Sequence, residues 1–522
     1  MSFHWKVLLW MAAGAVLGVL MQVFLAAPSY AGFEVAAERG GVRVTSVALD
    51  GPAARGKIAP DDVFEAAVLH RGAPDQELLE LQGPDDLSGA IARAENGEVV
   101  WLVPAGNAAR ASADDDLDAL DAAKAVSVTF DPGSRRATAI APFAFVADIF
   151  LALLKMLIVP IVLTSIVTGV ASVGSMGDLR RLGLKTFGYY LLTSLLAIAV
   201  GQVLVNVIRP GDGATLGLSP LTEGGQTQGD FIGVLKRMVP SNIAASLTDN
   251  GAMLSVIFFA LLFGYFVTRT EEPHRTRVQE LFDSLFAVVM RMAEGILKLL
   301  PYGVFALIVK VVASTGFAPF KALFLYMLTV AAALVLHACV TLPALLRTVG
   351  RMSPTKWFRA MSPALMTAFS TSSSSMTLPV TLKTVEQRGR VSNRITSFTL
   401  PLGATINMDG TALYECIGVI FLAQYYAAAG GYELTVGSQA LVVLLALLAS
   451  VGAAGIPSAG LVMMLTILSA LKLPLEGAAL LLAVDRPLDM LRTVVNVWSD
   501  SCAAAVVARS EGEEGPLEPA LA

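Results

Sequence analysis

The chain has 522 residues, of which 55% are hydrophobic and only 15% charged, and its mean hydropathy is +0.67. Soluble globular proteins are nearer about a quarter charged, and apolar windows of about 20 residues recur along most of this chain, so it reads as a polytopic membrane protein. No basic patch of the kind that binds nucleic acid is present, and the net charge of −5 is uneven: Ala31 to Ile140 holds 19 Asp/Glu and 10 Lys/Arg, a net of −9, which leaves +4 for the rest.

An apolar run at Val7–Ala27 predicts the first membrane span. Its charged start and the small residues Ala26-Ala27-Pro28-Ser29-Tyr30-Ala31 would also suit a signal peptide, but the run is long for one and is read as a retained anchor. An acidic insert follows, from Tyr30 to Pro132. Strand-like runs occur at Val42–Val47, Val63–Leu69, Val99–Val103 and Ala125–Phe130, with a helical piece near Leu87–Ala94 and a solvated stretch at Ala111–Lys124. The segment GGVRVTSVALDGPAARGKIAPDDVFEAAV, followed by LSGAIARAENGEVVWLVPAG, resembles a bacterial-type PDZ domain. That resemblance implies a small α+β fold that binds a peptide C-terminus as an added strand, with Tyr30-Ala31-Gly32-Phe33 as its carboxylate loop. A folded spacer that binds nothing remains open.

Further spans are expected at Ala144–Val173, Leu184–Val207, Phe231–Val267, Leu281–Val312 and Ala318–Leu346. Positive residues recur where alternating topology puts the cytoplasm: Arg180, Arg181 and Lys185; Arg269, Arg275 and Arg277; Arg347, Arg351, Lys356 and Arg359; Arg388, Arg390 and Arg394. The insert then lies outside, which in a bacterial inner membrane is the periplasmic side. Cys339, Cys416 and Cys502 sit in apolar stretches and read as small buried hydrophobes.

The last 170 or so residues change character. Apolar segments are broken by Thr371-Ser372-Ser373-Ser374-Ser375 and by the Gly/Pro run from Ser450 to Gly460. Paired interrupted spans point to the binding site of a secondary transporter. Irregular backbone at membrane depth survives only where it lines a cavity. Freed N–H groups at helix starts attract carboxylates, and freed carbonyls coordinate hard cations. Between the breaks, Gly403 and Gly410 flank Asn407 and Asp409, so this span should unwind locally; its oxygen-only side chains suit Na+ rather than a transition metal. Glu415 lies one turn past Thr411 on the same side, where a carboxyl can carry a proton, unless it is paired with an Arg or Lys.

The final apolar stretch, Leu475–Ala508, holds Asp485, Asp489, Arg492, Thr493, Asn496 and Asp500. With Asp485 at zero, the others fall near about 40°, 340°, 80°, 20° and 60° on a helix, one face roughly 100° wide. Ionisable groups at membrane depth mark a substrate or ion route. Three carboxylates against one guanidinium leave negative charge for a cation to meet.

The SSSS run with TLP, NMDGTALYE, GAAGIP-x-AG and AVD-x-x-LD-x-LRT-x-x-NV-x-x-D closely resemble the glutamate transporter family, the dicarboxylate/amino acid:cation symporters. The resemblance covers about Ala144 to Ala508 plus the first span, and leaves out the insert. It implies an all-α homotrimer embedded in the lipid bilayer. Each protomer would have eight transmembrane helices and two re-entrant hairpins, its transport domain moving like an elevator against a trimerisation scaffold. The implied division is 1–29 first helix, 30–132 insert, 142–350 spans two to six, 351–509 transport core and 510–522 cytoplasmic tail.

By this resemblance Arg492 would pair with the substrate's side-chain carboxylate and Asp489 would hold its α-amino group. Asn496, Thr493 and Thr411 would add hydrogen bonds, and Asp485 belongs to the same site. Ser373 and Ser374 at the first hairpin tip, and Gly455, Ile456, Pro457, Ser458, Ala459 and Gly460 at the second, would hold the carboxylates. For sodium, Gly403, Asn407, Asn496 and Asp500 match one site; Thr405, Ser450, Val451 and Ala453 a second; Tyr190, Thr193, Ser194, Asn407 and Asp409 a third. Keeping Asp489, Arg492 and Asp500 implies a Na+-coupled importer of L-glutamate and L-aspartate, not an enzyme and without a cofactor. Glu415 matches a proton-carrying position of animal relatives. Those relatives also return K+, but carry Arg where this chain has Met490, which weighs against K+ counter-transport here. A proton-coupled dicarboxylate or neutral amino-acid carrier of the same fold is the alternative. A membrane sensor or protease adaptor built around the insert is the reading from another class.

Overall fold

The computed structural model describes residues 3–25, 27–49, 51–69, 76–94, 98–105, 123–174, 180–214, 216, 218, 239–248, 253–316, 318–428, 432, 434–452 and 459–515. Helix α1 (Phe3–Phe24) leads into the insert through β1 (Ser29–Tyr30). There follow β2 (Phe33–Glu38), β3 (Gly41–Val47), α2 (Pro52–Arg55), β4 (Val63–Leu69), β5 (Glu77–Glu80), α3 (Pro84–Arg93), β6 (Val99–Pro104), β7 (Lys124–Ser127) and β8 (Thr129–Phe130). All pairings are antiparallel, in the order β2-β3-β4-β6-β7, with β5 also on β4. Strand β2 is therefore an edge, and α3 packs beside it. Val42, Val44, Phe64, Leu87, Ala90 and Leu102 fill the core between sheet and helices. β1, β2 and β5 were not among the expected strands, and the run expected at Ala125–Phe130 is two strands, β7 and β8, in separate sheets. Lys124 is not a loop residue: it starts β7, and its ammonium donates to Asp62 at 2.6 Å. Residues 111–122 of the expected solvated stretch lie outside the described residues.

The two ends of the insert are tied together. Ser29 and Tyr30 pair with Phe130 and Thr129. Arg136 donates to the carbonyls of Leu25 at 2.6 Å and Gln22 at 2.8 Å, filling acceptors that the end of α1 leaves open.

The membrane body is α4 (Arg135–Gly174), α5 (Arg180–Ile208), α6 (Ile243–Thr248), α7 (Met253–Arg269), α8 (His274–Leu297), α9 (Leu300–Thr315), α10 (Ala318–Leu336) and α11 (Leu342–Thr348), the last two joined by a π-helical turn at His337–Thr341. Among the described residues four helices are long and apolar enough to cross a membrane, and α8 with α9 would make a fifth. Two expected spans are corrected. Leu281–Val312 is not straight but bends by 51° at Lys298-Leu299, ahead of Pro301, which removes a backbone donor at the start of α9. Phe231–Val267 is not one helix either: around Pro240 the chain is extended or bent, and α6 is a separate short piece; residues 231–238 and 249–252 lie outside the description. Within the π-helical turn His337 is buried while Cys339, two residues on, is exposed. Cys339 is thus not a core residue; an apolar outward face is no penalty where lipid is the solvent.

The C-terminal part holds α12 (Pro354–Thr371), α13 (Ser374–Gln387), α14 (Asn393–Ile406), α15 (Asp409–Ala428), α16 (Val436–Gly452), α17 (Ala459–Ala470) and α18 (Glu476–Ser510). Both sequence breaks separate helices. At the first, Ser372 adopts the left-handed conformation (φ 50°) and Ser373 caps α13, its Oγ accepting from the Met376 N–H at 3.2 Å. At the second, residues 453–458 lie outside the description. The expected unwinding falls at Asn407-Met408, between α14 and α15. Helix α15 is buried along nearly its whole length, and α12, α13, α14, α15 and α17 all pack on α18.

Candidate functional site

Helix α18 runs unbroken through its polar residues, so the periodicity read from sequence becomes a physical face. Asp485, Asp489, Arg492, Thr493, Asn496 and Asp500 are all buried. That face meets the break between α14 and α15. The two backbones approach closely there: a Cβ on Gly410 would lie 2.7 Å from the Arg492 carbonyl.

At one end, Arg492 Nη2 donates to Asp489 at 2.8 Å and to Asp485 at 3.0 Å. Its guanidinium carbon sits 3.8 Å from the Tyr414 ring centre, a cation–π arrangement. Nε and Nη1 of Arg492 have no hydrogen-bond partner among the described residues. Buried donors are seldom left unmet, so these two point to an anionic ligand. The expected charge imbalance needs correction. Arg486 is also buried and donates to Asp489 at 2.9 Å, so two guanidinium groups stand against Asp485 and Asp489. It falls near about 100° on the same wheel, just past the edge of the face that ends at Thr493, and so was left out of the helical-wheel reading.

Thr411 and Asn496 lie beside this pair. Asn496 Nδ2 donates to Thr411 Oγ1 at 3.2 Å, while its Oδ1 accepts from the Gly410 N–H at 2.8 Å, a donor freed by the chain break. Thr493 Oγ1 instead bonds its own helix, at the Asp489 carbonyl. A Cβ on Gly460 would lie 2.9 Å from Thr411 Cγ2 and 3.0 Å from Arg492 Nη1, so the start of α17 closes over the same spot. Ser373 and Ser374 are buried at the start of α13, which packs on α18. Gly455, Ile456, Pro457 and Ser458 lie outside the described residues, as does the side chain of Ala459.

Deeper along α18 the groups are oxygen-rich. Asn407 Nδ2 donates to Asp500 at 2.9 Å and to Ser499 at 3.0 Å, and its Oδ1 accepts from Thr193 at 3.3 Å. Asp409 accepts from Ser499 at 2.6 Å, Ser194 at 2.7 Å and Thr193 at 3.3 Å, with His337 Nε2 at 3.3 Å. Ser499 and His337 were not foreseen; nothing in their local sequence separates them from other polar residues in apolar helices. Tyr190 Oη donates to the Thr399 carbonyl at 2.7 Å and lines the gap beside Gly403 and Asp500. Tyr190, Thr193, Ser194, Gly403, Asn407, Asn496, Asp409 and Asp500 thus come together around the break. Neither buried carboxylate has a Lys or Arg partner among the described residues. The donor set, two carboxylates with hydroxyls and amide oxygens, is one that could hold a hard cation, and His337 is the imidazole beside it. Thr405 and Ser450 hydroxyls bond carbonyls of their own helices, at Leu402 and Leu447; Ala453 and the side chain of Val451 lie outside the description.

Glu415 is fully buried in α15, and neither carboxylate oxygen has a hydrogen-bond partner among the described residues. The simple Glu–Arg or Glu–Lys pair is therefore not seen.

The model of the "Sodium:dicarboxylate symporter family" matches residues 126–510, so the first helix and most of the insert fall outside it. The chain is 37% identical to a proton/glutamate-aspartate symporter of Escherichia coli over 70% of this chain and 84% of that protein. It is 33% identical to mouse excitatory amino acid transporter 3 over 71% and 80%, and 32% identical to excitatory amino acid transporter 1 of Ambystoma tigrinum over 72% and 79%. These relatives are transporters, not enzymes. With a mainly helical body, buried ionisable groups beside broken helices, and a family match over most of its length, the chain belongs to the sodium:dicarboxylate symporter family.

Proposed function

We propose that this protein is a secondary active symporter that imports L-glutamate and L-aspartate, coupled to Na+. The observation that carries the substrate reading is Arg492. Two of its nitrogens, Nε and Nη1, are buried without partners among the described residues; each shares an edge of the guanidinium with Nη2, so once Nη2 turns off the aspartates a two-nitrogen fork is open to a side-chain carboxylate, with Asp489 beside it as an acceptor for an ammonium. In this structure Arg492 rests on Asp485 and Asp489; substrate would draw it off. Sodium coupling is supported by the two carboxylates, Asp409 and Asp500, set among oxygens without a Lys or Arg partner among the described residues. Gly403, Asn407, Asn496 and Asp500 would hold one ion, Tyr190, Thr193, Ser194, Asn407 and Asp409 another, and Thr405, Ser450, Val451 and Ala453 a third.

Proton coupling is the second reading, favoured by the carboxyl of Glu415, which has no hydrogen-bond partner among the described residues, and by the proton symport of the Escherichia coli relative. We further propose the family arrangement for this chain: eight spans, two re-entrant hairpins, a homotrimer and an elevator movement, in a bacterial inner membrane. The insert would face the periplasm. Its edge strand β2, lying beside α3 and after the loop at Gly32 (φ 85°), supports a PDZ-like peptide site.

Uptake of labelled L-aspartate and L-glutamate into proteoliposomes separates the readings, with an inward Na+ gradient set against an inward proton gradient. Uptake driven by Na+ alone supports the coupling proposed here. Uptake driven only by protons would refute it and move the mechanism to Glu415.

A further inference from the structure

We infer that the elbow between α11 and α12 is a docking surface for the anionic headgroups of membrane phospholipid, and that this contact holds the root of α12. Arg347, Arg351, Lys356 and Arg359 lie around the elbow, while no Asp or Glu occurs between Glu294 and Glu386. All four side chains are exposed, and none has an ion-pair partner among the described residues. Other cations at the same end of the bundle are matched: Arg181, Lys185 and Arg394 all pair with the Glu511 carboxylate just past α18. The elbow sits close to that level. A Cβ on Gly350 would lie 3.2 Å from Val506 Cγ2, so the elbow packs against α18 about one turn before that helix ends. A cluster of unmatched cations beside a membrane helix attracts anionic lipid. Apolar side chains point the same way. Val349 and Phe358 are exposed between the cations, and Met366 and Phe369 are exposed further along α12. Met366 lies about two turns beyond Arg359, on the same side of the helix. The exposed strip therefore runs from cations to apolar groups along the α12 axis, the order in which a bilayer presents phosphate and then hydrocarbon. A soluble anion would match the cations and leave the apolar half of the strip bare. Helix α12 leads directly to the break at Ser372 and Ser373, so lipid at its root would fix the depth from which that break is presented.

The test uses the purified full-length protein in detergent, melted with rising amounts of phosphatidylglycerol or phosphatidylcholine. Phosphatidylglycerol should raise the melting temperature more than phosphatidylcholine does, and the excess should vanish at high salt. In the triple variant Arg351→Gln/Lys356→Gln/Arg359→Gln, the phosphatidylglycerol concentration giving half of that excess should rise at least about tenfold. An unchanged value in this variant overturns the inference. Arg275→Gln/Arg277→Gln, at the start of α8, should leave the value as it is. If this control shifts it as much as the elbow variant, the lipid answers to overall charge, and the elbow is not a site. Equal stabilisation of the native protein by both lipids also overturns the inference, and that result needs no variant to fold. Glycerol phosphate, the soluble headgroup alone, should give no gain. Stabilisation by it equal to that by phosphatidylglycerol would make the elbow a free-phosphate site and overturn the lipid assignment.

Discussion

Gly403→Ala is a one-carbon test of the proposed ion site. The added Cβ would collide with the Asp500 carboxylate and lie 2.7 Å from Tyr190 Oη, where ordinary contact begins near 3.4 Å. Tyr190 would have to retreat by about 0.7 Å, and its hydroxyl is tied to the Thr399 carbonyl at 2.7 Å. Asp500 would have to turn further, and it is held by Asn407 at 2.9 Å. Overpacking of this kind costs about 1–3 kcal/mol. Because relief comes most easily by turning Asp500, much of that cost should appear as lost cation affinity. A loss of about 1.4 kcal/mol is a tenfold change. The assay is the Na+ concentration giving half-maximal aspartate uptake, read together with thermal stability with and without Na+. The expected result is at least about a tenfold rise and a smaller stabilisation by Na+. Unchanged Na+ dependence with alanine at 403 would refute the placement of a cation between Gly403, Asn407 and Asp500.

Three further outcomes are expected. Arg492→Ala should abolish uptake of glutamate and aspartate and destabilise the protein by about 3–5 kcal/mol, because Asp485 and Asp489 lose a buried partner; surviving acidic amino-acid uptake would count against its role. Glu415→Gln preserves shape and removes the ionisable group, so any proton entry accompanying uptake, followed with a trapped pH dye, should stop; persistence would clear Glu415 of that task. Outside the membrane, hydrogen bonds from Arg181 and Lys185, with Arg394 nearby, hold the Glu511 carboxyl down to about 2. A depressed folded value means stabilisation that is complete above the unfolded value of about 4.3 and lost as pH falls towards 2. Glu511→Gln should therefore melt earlier than the native protein at pH 6, with the gap closing below about pH 4.5; a gap constant across that range would argue against the ionic clamp.

Much of the site was legible because one helix carries so much of it. Asp485, Asp489, Arg492, Asn496 and Asp500 recur with helical spacing, and the 3.6-residue turn alone places them on one face. The unwinding between Gly403 and Gly410, the serine break and several insert strands were likewise local signals, since glycine, serine and alternating β-branched residues act through their own backbone. The pairing of Arg486 with Asp489 was missed, because Arg486 falls just past the edge of the listed polar face even though residues three apart are neighbours on a helix. Nor were Ser499 and His337 at Asp409: His337 lies 72 residues away along the chain, and only the packing of α10 against α15 brings the two together. The bend between α8 and α9 and the Glu511 clamp on α5 and α14 belong to the same class. Sequence determined the polar face of the last helix and the breaks at the serine run and between Gly403 and Gly410. Tertiary structure decided which faces meet, because burying a charged face at membrane depth needs partners that only another helix, or another turn of the same one, can bring within hydrogen-bond reach.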